Sequence, residues 1–134
     1  MHPERLHALV VDREPRVRST VKSVLSAIGF QVKETGDARD AVSIVDRQPC
    51  LDLLVTEAQP LNFDGRTLAD RYLTICPLGR VIMMSRFGEV DAINAESTGG
   101  WIFLPRERVG EMLLPALKNL VYRKRRIVLP DSCC

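Results

Sequence analysis

The stretch Leu6-His7-Ala8-Leu9-Val10-Val11-Asp12-Arg13-Glu14-Pro15 opens as a short apolar run and closes on three charged residues and a proline. A strand covered on both faces reads as a near-continuous apolar run, and a polar break marks where it enters a loop. Pro15 then suits the first turn of a helix, where a missing N–H costs nothing and a fixed φ is already helical. Val17, Val21, Val24, Leu25 and Ile28 follow at i, i+4, i+7, i+8 and i+11, one helical face, until Gly29 ends it.

The same alternation runs down the chain. Phe30 to Glu34 reads as a second strand, and Asp37 starts a helix with inner face Ala38, Ala41, Val42 and Val45 that ends near Pro49. Leu51 to Thr56 is a third buried strand. It leads into the loop Glu57 to Phe63 and a helix from Asp64 or Gly65 that buries Leu68, Tyr72 and Ile75 before Pro77. Val81 to Met84 is the fourth strand, Glu89 to Glu96 a short and weakly amphipathic helix, and Trp101 to Leu104 the fifth strand after a turn at Gly99 and Gly100. A last helix, about Arg106 to Arg125, offers Val109, Leu113, Leu117, Leu120 and Val121 to the core, and Pro115 inside it predicts a kink or a late start.

Strands alternating with helices predict an α/β three-layer sandwich around a parallel sheet, a (βα)5 arrangement with five strands. In such sheets ligands gather at the C-terminal strand edge. Asp12, Glu57, Ser85 and Leu104, each at a strand's C-terminal end, are therefore expected to share one pocket.

With 134 residues, 46% of them hydrophobic, the chain suits one domain with its own core. We divide it into a domain over 4–122 and a basic tail over 123–134. The net charge of +2, from 19 Lys and Arg against 17 Asp and Glu, marks neither a nucleic-acid nor a membrane binder. No apolar run approaches the ~18 residues of a membrane span, and Met1 to Arg5 lacks the apolar core of a signal peptide, so a cytoplasmic place is expected. The four cysteines, Cys50, Cys76, Cys133 and Cys134, have no framework-like spacing and are read as reduced thiols. His2 and His7 stand too far from the terminal cysteine pair to complete a metal site at ligand spacing. The Arg123-Lys124-Arg125-Arg126 run is open to two readings: a contact for phosphates, an acidic partner or a membrane surface, or a solvated helix end that complements the helix dipole.

Taken with this order of elements, the passages Leu9-Val10-Val11-Asp12-Arg13-Glu14-Pro15, Leu53 to Gly65 ending in Phe63-Asp64-Gly65, Val81-Ile82-Met83-Met84-Ser85 and Phe103-Leu104-Pro105 resemble a receiver domain of bacterial response regulators. The likeness runs from about Leu6 to Leu120. It implies a flavodoxin-like fold with strand order 2-1-3-4-5. It also implies an acidic pair after strand 1, an acceptor aspartate ending strand 3, a Ser or Thr ending strand 4 and a lysine before the proline after strand 5. Here Asp12 fits the first acid, Arg13 takes the second acidic place and Glu14 stands one residue further on. Glu57 falls at the acceptor place, Ser85 at the hydroxyl place followed by Arg86, and Leu104 at the lysine place. Trp101, three places before Leu104, stands where the resemblance implies an aromatic switch residue responding to Ser85; the plain alternative is a large side chain packing near the sheet's edge.

The chemistry of these departures can be argued directly. A carboxylate attacks a phosphoryl group effectively only when Mg²⁺ and an ammonium group neutralise its charge and hold it in line. Arg13 removes one carboxylate ligand and adds a cation, Leu104 carries no charge, and the extra methylene of Glu57 moves the nucleophile by about an ångström, which can cost ~10²-fold in a positioned site. The expectation is a degenerate pseudo-receiver without an acceptor aspartate, in which Glu57 pairs with Arg13 or Arg86 rather than with a metal. For Arg13 and Arg86 the alternative is a role as ordinary rim charges.

The function expected from this reading is a phosphorylation-independent protein-interaction module of two-component phosphorelay signalling, not an enzyme and with no cofactor. Its implied partner is a histidine kinase or effector, met through the face of the fourth helix, fifth strand and fifth helix; a homodimer is the other outcome on that face. The alternative is a working Mg²⁺-dependent acceptor with Asp12, Glu14 and Glu57 as ligands. A third reading, a nucleotide-dependent enzyme on a similar sheet, lacks any G-x-G-x-x-G or G-K-[ST] loop after strand 1. The chain is read as a stand-alone receiver or the receiver part of a longer design.

Overall fold

In the computed structural model the apolar runs named above become parallel strands, and the amphipathic segments between them become helices. The structure describes residues 6–48, 51–58, 65–85 and 101–127, with backbone alone for 119–127. The elements are β1 (Leu6–Val11), α1 (Pro15–Ala27), β2 (Phe30–Thr35), α2 (Ala38–Arg47), β3 (Leu53–Glu57), α3 (Gly65–Ile75), β4 (Arg80–Ser85), β5 (Trp101–Pro105), a 3₁₀ turn (Arg106–Arg108) and α4 (Val109–Ile127). The expected helix Glu89 to Glu96 lies outside the described residues.

All neighbouring strands pair in parallel, in the order β2-β1-β3-β4-β5. This is the flavodoxin-like strand order that the resemblance implies. Alternation along the strands divides the core into two layers, because successive side chains leave a strand on opposite faces. Leu9 and Val11 of β1 pack with Ala41 and Val45 of α2 and Leu68, Ala69 and Tyr72 of α3. Ala8 and Val10 pack with Val21 and Leu25 of α1 and Val109, Leu113 and Leu117 of α4. Burying one such Leu or Val side chain stabilises the fold by about 1.5 to 3 kcal/mol.

Local signals set the helix ends. Pro15 stands in the first turn of α1. Gly29 follows that helix with φ of 102°, in the left-handed region that glycine enters without steric cost, and its N–H donates to the Ser26 carbonyl at 3.0 Å. The Asp37 side chain caps α2 by accepting from Asp40 N at 3.3 Å. Pro115 lies inside α4, where it removes one intrahelical hydrogen bond. That helix starts at Val109, after the 3₁₀ turn, and continues to Ile127 across the 122/123 boundary drawn from the sequence.

Strand ends differ from the sequence expectation by a residue or two, and one difference matters. Glu57 is the last residue of β3 rather than the first of a loop. Tyr72 is fully buried and donates its hydroxyl proton to the Leu51 carbonyl at 2.8 Å, tying α3 to the entry of β3.

The reading of all cysteines as reduced thiols is corrected at Cys76. This buried residue after α3 is disulfide-bonded, and its partner lies outside the described residues. Spacing along a chain does not report which segments the end of a helix meets in space, so the pairing was invisible in sequence. Among the described residues no helix is long and apolar enough to cross a membrane.

Candidate functional site

The C-terminal ends of β1, β3 and β4 place three buried polar side chains at one edge of the sheet. Asp12, Glu57 and Ser85 are 0%, 3% and 4% exposed.

Asp12 is held from several sides. Its backbone N–H donates to the Thr35 carbonyl of β2 at 3.1 Å, and its carbonyl accepts from Arg18 Nη1 of α1 at 2.8 Å. The carboxylate turns back on its own loop, with Glu14 N donating to Oδ1 at 2.8 Å. Both of its oxygens also accept from one guanidinium: Arg106 Nε reaches Oδ2 at 2.9 Å and Nη2 reaches Oδ1 at 2.6 Å. A forked guanidinium–carboxylate pair of this kind is among the strong, geometrically specific hydrogen-bonded contacts.

Glu57 sits beside this pair. Its Oε1 accepts from Arg13 N at 2.8 Å, Arg13 Nε lies 3.6 Å from Oε2, and Arg106 Nη2 lies 3.8 Å from Oε1. The backbone around it is tight: Ala58 N donates to the Met84 carbonyl at 2.7 Å and Gly65 N donates to the Ala58 carbonyl at 3.1 Å. A Cβ at Gly65 would collide with the Glu57 carbonyl oxygen, so the absence of a side chain lets α3 start directly against the end of β3.

Two buried acids and one partly exposed guanidinium perturb one another. Burial pushes the Glu57 carboxyl above its usual range and the nearby Asp12 charge adds to the rise, while the Arg13 N–H and the Arg106 charge oppose it. Hydrogen bonding to Asp12 makes the Arg106 guanidinium hold its proton more firmly than usual.

The other expected residues divide. Glu14 is largely exposed, with Oε1 4.0 Å from Arg106 Nη2. Ser85 stands opposite Pro105 in the β4–β5 register, and its buried Oγ has no hydrogen-bond partner among the described residues. Leu104, opposite Met84, joins the apolar layer under α1 and α4. Trp101 stands opposite Val81, at the other end of the strand pair from Ser85, with its ring 6.1 Å from that of Phe103 on the α2–α3 side. Arg86 lies outside the described residues.

Sequence reasoning missed Arg106, which it absorbed into the last helix. The signal was present: a cation directly after the Pro105 that ends β5, at the same sheet edge as the acids.

The alternative reading of the sequence puts Mg²⁺ at this edge with Asp12, Glu14 and Glu57 as ligands, and the donor set decides whether it fits. Mg²⁺ needs oxygen ligands in near-octahedral geometry. Here both Asp12 oxygens are engaged by Arg106, and the Glu57 oxygen that faces the same guanidinium accepts from the Arg13 N–H. Among the described residues no three His, Cys, Asp or Glu side chains converge as a metal-ligating group. The arrangement does not fit a divalent ion, and no step is derived through one.

No family model matches the chain. It is 27% identical over 119 residues to the response regulator protein PilR of Pseudomonas aeruginosa, covering 85% of this chain and 26% of that protein. The chain thus spans about a quarter of the length of that relative. In fold it is similar to a response regulator receiver domain protein from Clostridium thermocellum, with TM-score 0.77, 22% identity and coverage of 92% of this chain and 99% of that one. It is also similar to the receiver domain of the hybrid histidine kinase CckA, with TM-score 0.68, 26% identity and coverage of 84% and 96%. Sequence and fold together support a response-regulator receiver domain.

Proposed function

We propose that this receiver domain serves two-component signalling as a protein-interaction module whose pocket is set without phosphorylation, with Glu57 in the acceptor place. One arrangement carries the reading: Glu57 accepts from the Arg13 N–H while Arg106 holds both oxygens of the neighbouring Asp12. Phosphoryl transfer to a carboxylate requires a nucleophilic oxygen in line with the donor and cations arranged around the transferred group. In this pocket the cationic group already binds Asp12, and Leu104, a hydrocarbon side chain packed in the core, supplies no ammonium group.

On this reading the domain is not an enzyme, and it works by the shape of its surface. Its partner is a histidine kinase or an effector of a phosphorelay, met through the face that includes β5 and α4, and its place is the cytoplasm. The disulfide at Cys76 stands against a reducing compartment and is tested below.

The test is a titration of Mg²⁺ and a small phosphodonor, acetyl phosphate, followed by intact mass and by the fluorescence of Trp101, the chain's only tryptophan. The expected result is no phosphate adduct and no saturable change in emission. An adduct that appears with Mg²⁺ and maps to Glu57 overturns the reading in favour of a metal-dependent acceptor.

A further inference from the structure

We infer that Arg106 is the resident cation of this pocket: its guanidinium occupies the place among Asp12, Glu57 and Glu14 that a divalent ion would need, and it thereby ties the start of α4 to the strand ends. The inference rests on the pocket's geometry and is independent of any partner or signalling role.

The placement of one atom makes the case. Arg106 Nη2 lies 2.6 Å from Asp12 Oδ1, 3.8 Å from Glu57 Oε1 and 4.0 Å from Glu14 Oε1. One nitrogen thus lies within 4.0 Å of three carboxylates, two from the segment after β1 and one from the end of β3. Asp12 and Glu57 are both buried, and a buried carboxylate without a counter-charge is expensive. Some cation must stand there for the strand ends to pack as they do. The guanidinium meets that need in a form no spherical ion can, since its planar fork donates to both oxygens of Asp12. Arg13 contributes less, because its side chain is more exposed and its Nε stands 3.6 Å from Glu57 Oε2.

The tie also has a mechanical side. Arg106 opens the 3₁₀ turn that leads straight into α4, and the first buried residue of that helix is Val109. The pair with Asp12 therefore joins the end of β5 to the end of β1, strands that are separated in the sheet by β3 and β4. A divalent ion bound at Asp12 would have to displace Arg106, and displacement would free the turn that starts α4. Cation occupancy and the seating of α4 are one equilibrium in this geometry.

Removing the guanidinium should uncover the site it fills. Asp12 Oδ1 already faces the vacated point, whereas Glu57 and Glu14 must each draw in by roughly 1.5 to 2 Å to meet a magnesium ion at about 2.1 Å, a movement within reach of a glutamate side chain.

The experiment titrates Mg²⁺ and Mn²⁺ alone into the full chain, read by calorimetry and by Mn²⁺ electron paramagnetic resonance, for the wild type, Arg106→Gln and Arg106→Lys. The expected result is no saturable binding to the wild type or to Arg106→Lys, and saturable uptake of one Mn²⁺ per chain in Arg106→Gln, with thermal stability that rises on adding Mg²⁺. If Arg106→Gln does not fold in chelator, its recovery in millimolar Mg²⁺ gives the same support, and failure to recover overturns the inference. Saturable Mg²⁺ binding by the wild type also overturns it, as does a folded Arg106→Gln that takes up no metal. None of these outcomes depends on phosphodonor reactivity, so the two readings fail separately.

Discussion

Arg106 donates through Nε and Nη2 to the two oxygens of Asp12, at 2.9 and 2.6 Å, across 94 positions of sequence. Asp12 is fully buried, so the pair is neither a surface ornament nor freely exchangeable with water. Its energetics follow from what remains when one partner is removed.

Arg106→Ala leaves the Asp12 carboxylate buried with the Glu14 N–H and no cation on its oxygens. Breaking a buried pair in this way costs about 3 to 5 kcal/mol, whereas replacing both partners by neutral residues costs much less. Urea denaturation should therefore show a large loss for Arg106→Ala and partial recovery in Asp12→Asn combined with Arg106→Met. Equal losses in the single and double variants would mean that the carboxylate is not the source of the penalty.

Glu57 titrates above its usual range in the folded chain, chiefly because it is buried. Between the ordinary glutamate range and the raised folded value, the folded state holds more protons than the unfolded one. The contribution of Glu57 to stability is therefore fully present below that window and is lost as pH rises through it. Glu57→Gln removes this term. The stability of the wild type relative to Glu57→Gln should decline as pH rises across the window, measured by denaturant melts at a series of pH values; a constant difference would contradict the assigned direction.

Gly65 starts α3 against the Glu57 carbonyl, with no room for a Cβ. Gly65→Ala must push the helix start away from β3, a displacement that typically costs about 1 to 3 kcal/mol. Thermal unfolding should show the loss, and a chemical-shift map should centre it on Glu57 and Ala58. An alanine variant as stable as the wild type would mean that the helix start moves freely.

The disulfide at Cys76 makes a prediction about redox state. Protein purified without reductant should show fewer than four free thiols when denatured, and reduction should lower stability by about 2 to 4 kcal/mol. Four reactive thiols in freshly isolated protein would restore the reading of a reduced chain and support the cytoplasmic place.

Much of the fold was legible because its signals are local. Leu6–Val11 is apolar at every position but His7, β3 opens on the apolar run Leu53, Leu54 and Val55, and Val21 and Leu25 repeat at a helical interval between Pro15 and Gly29. Strand ends were less legible. Glu57 reads as a loop residue from its charge, but hydrogen bonding to the neighbouring strand extends β3 to include it, and a propensity argument cannot see that neighbour.

The site was legible by half. Asp12, Glu57 and Ser85 could be placed at one edge because each follows an apolar strand of a parallel sheet, and the parallel order follows from alternation of strands and helices. Which cation binds Asp12 could not be singled out in this way, although Arg106 stands directly after the Pro105 that ends β5. Arg13, Arg86 and Arg106 all stand near strand ends in sequence, with equal claim.

By itself the amino-acid sequence determined the sheet, its two apolar layers and the strand ends that carry carboxylates, since hydrophobic periodicity repeats over a few residues and needs no distant information. Only the tertiary structure decided that Arg106 reaches back from the end of β5 to Asp12, that Leu104 packs in the core, and that Cys76 is bridged. Those outcomes depend on side-chain reach between segments far apart in sequence, where several residues of like charge compete and packing selects one.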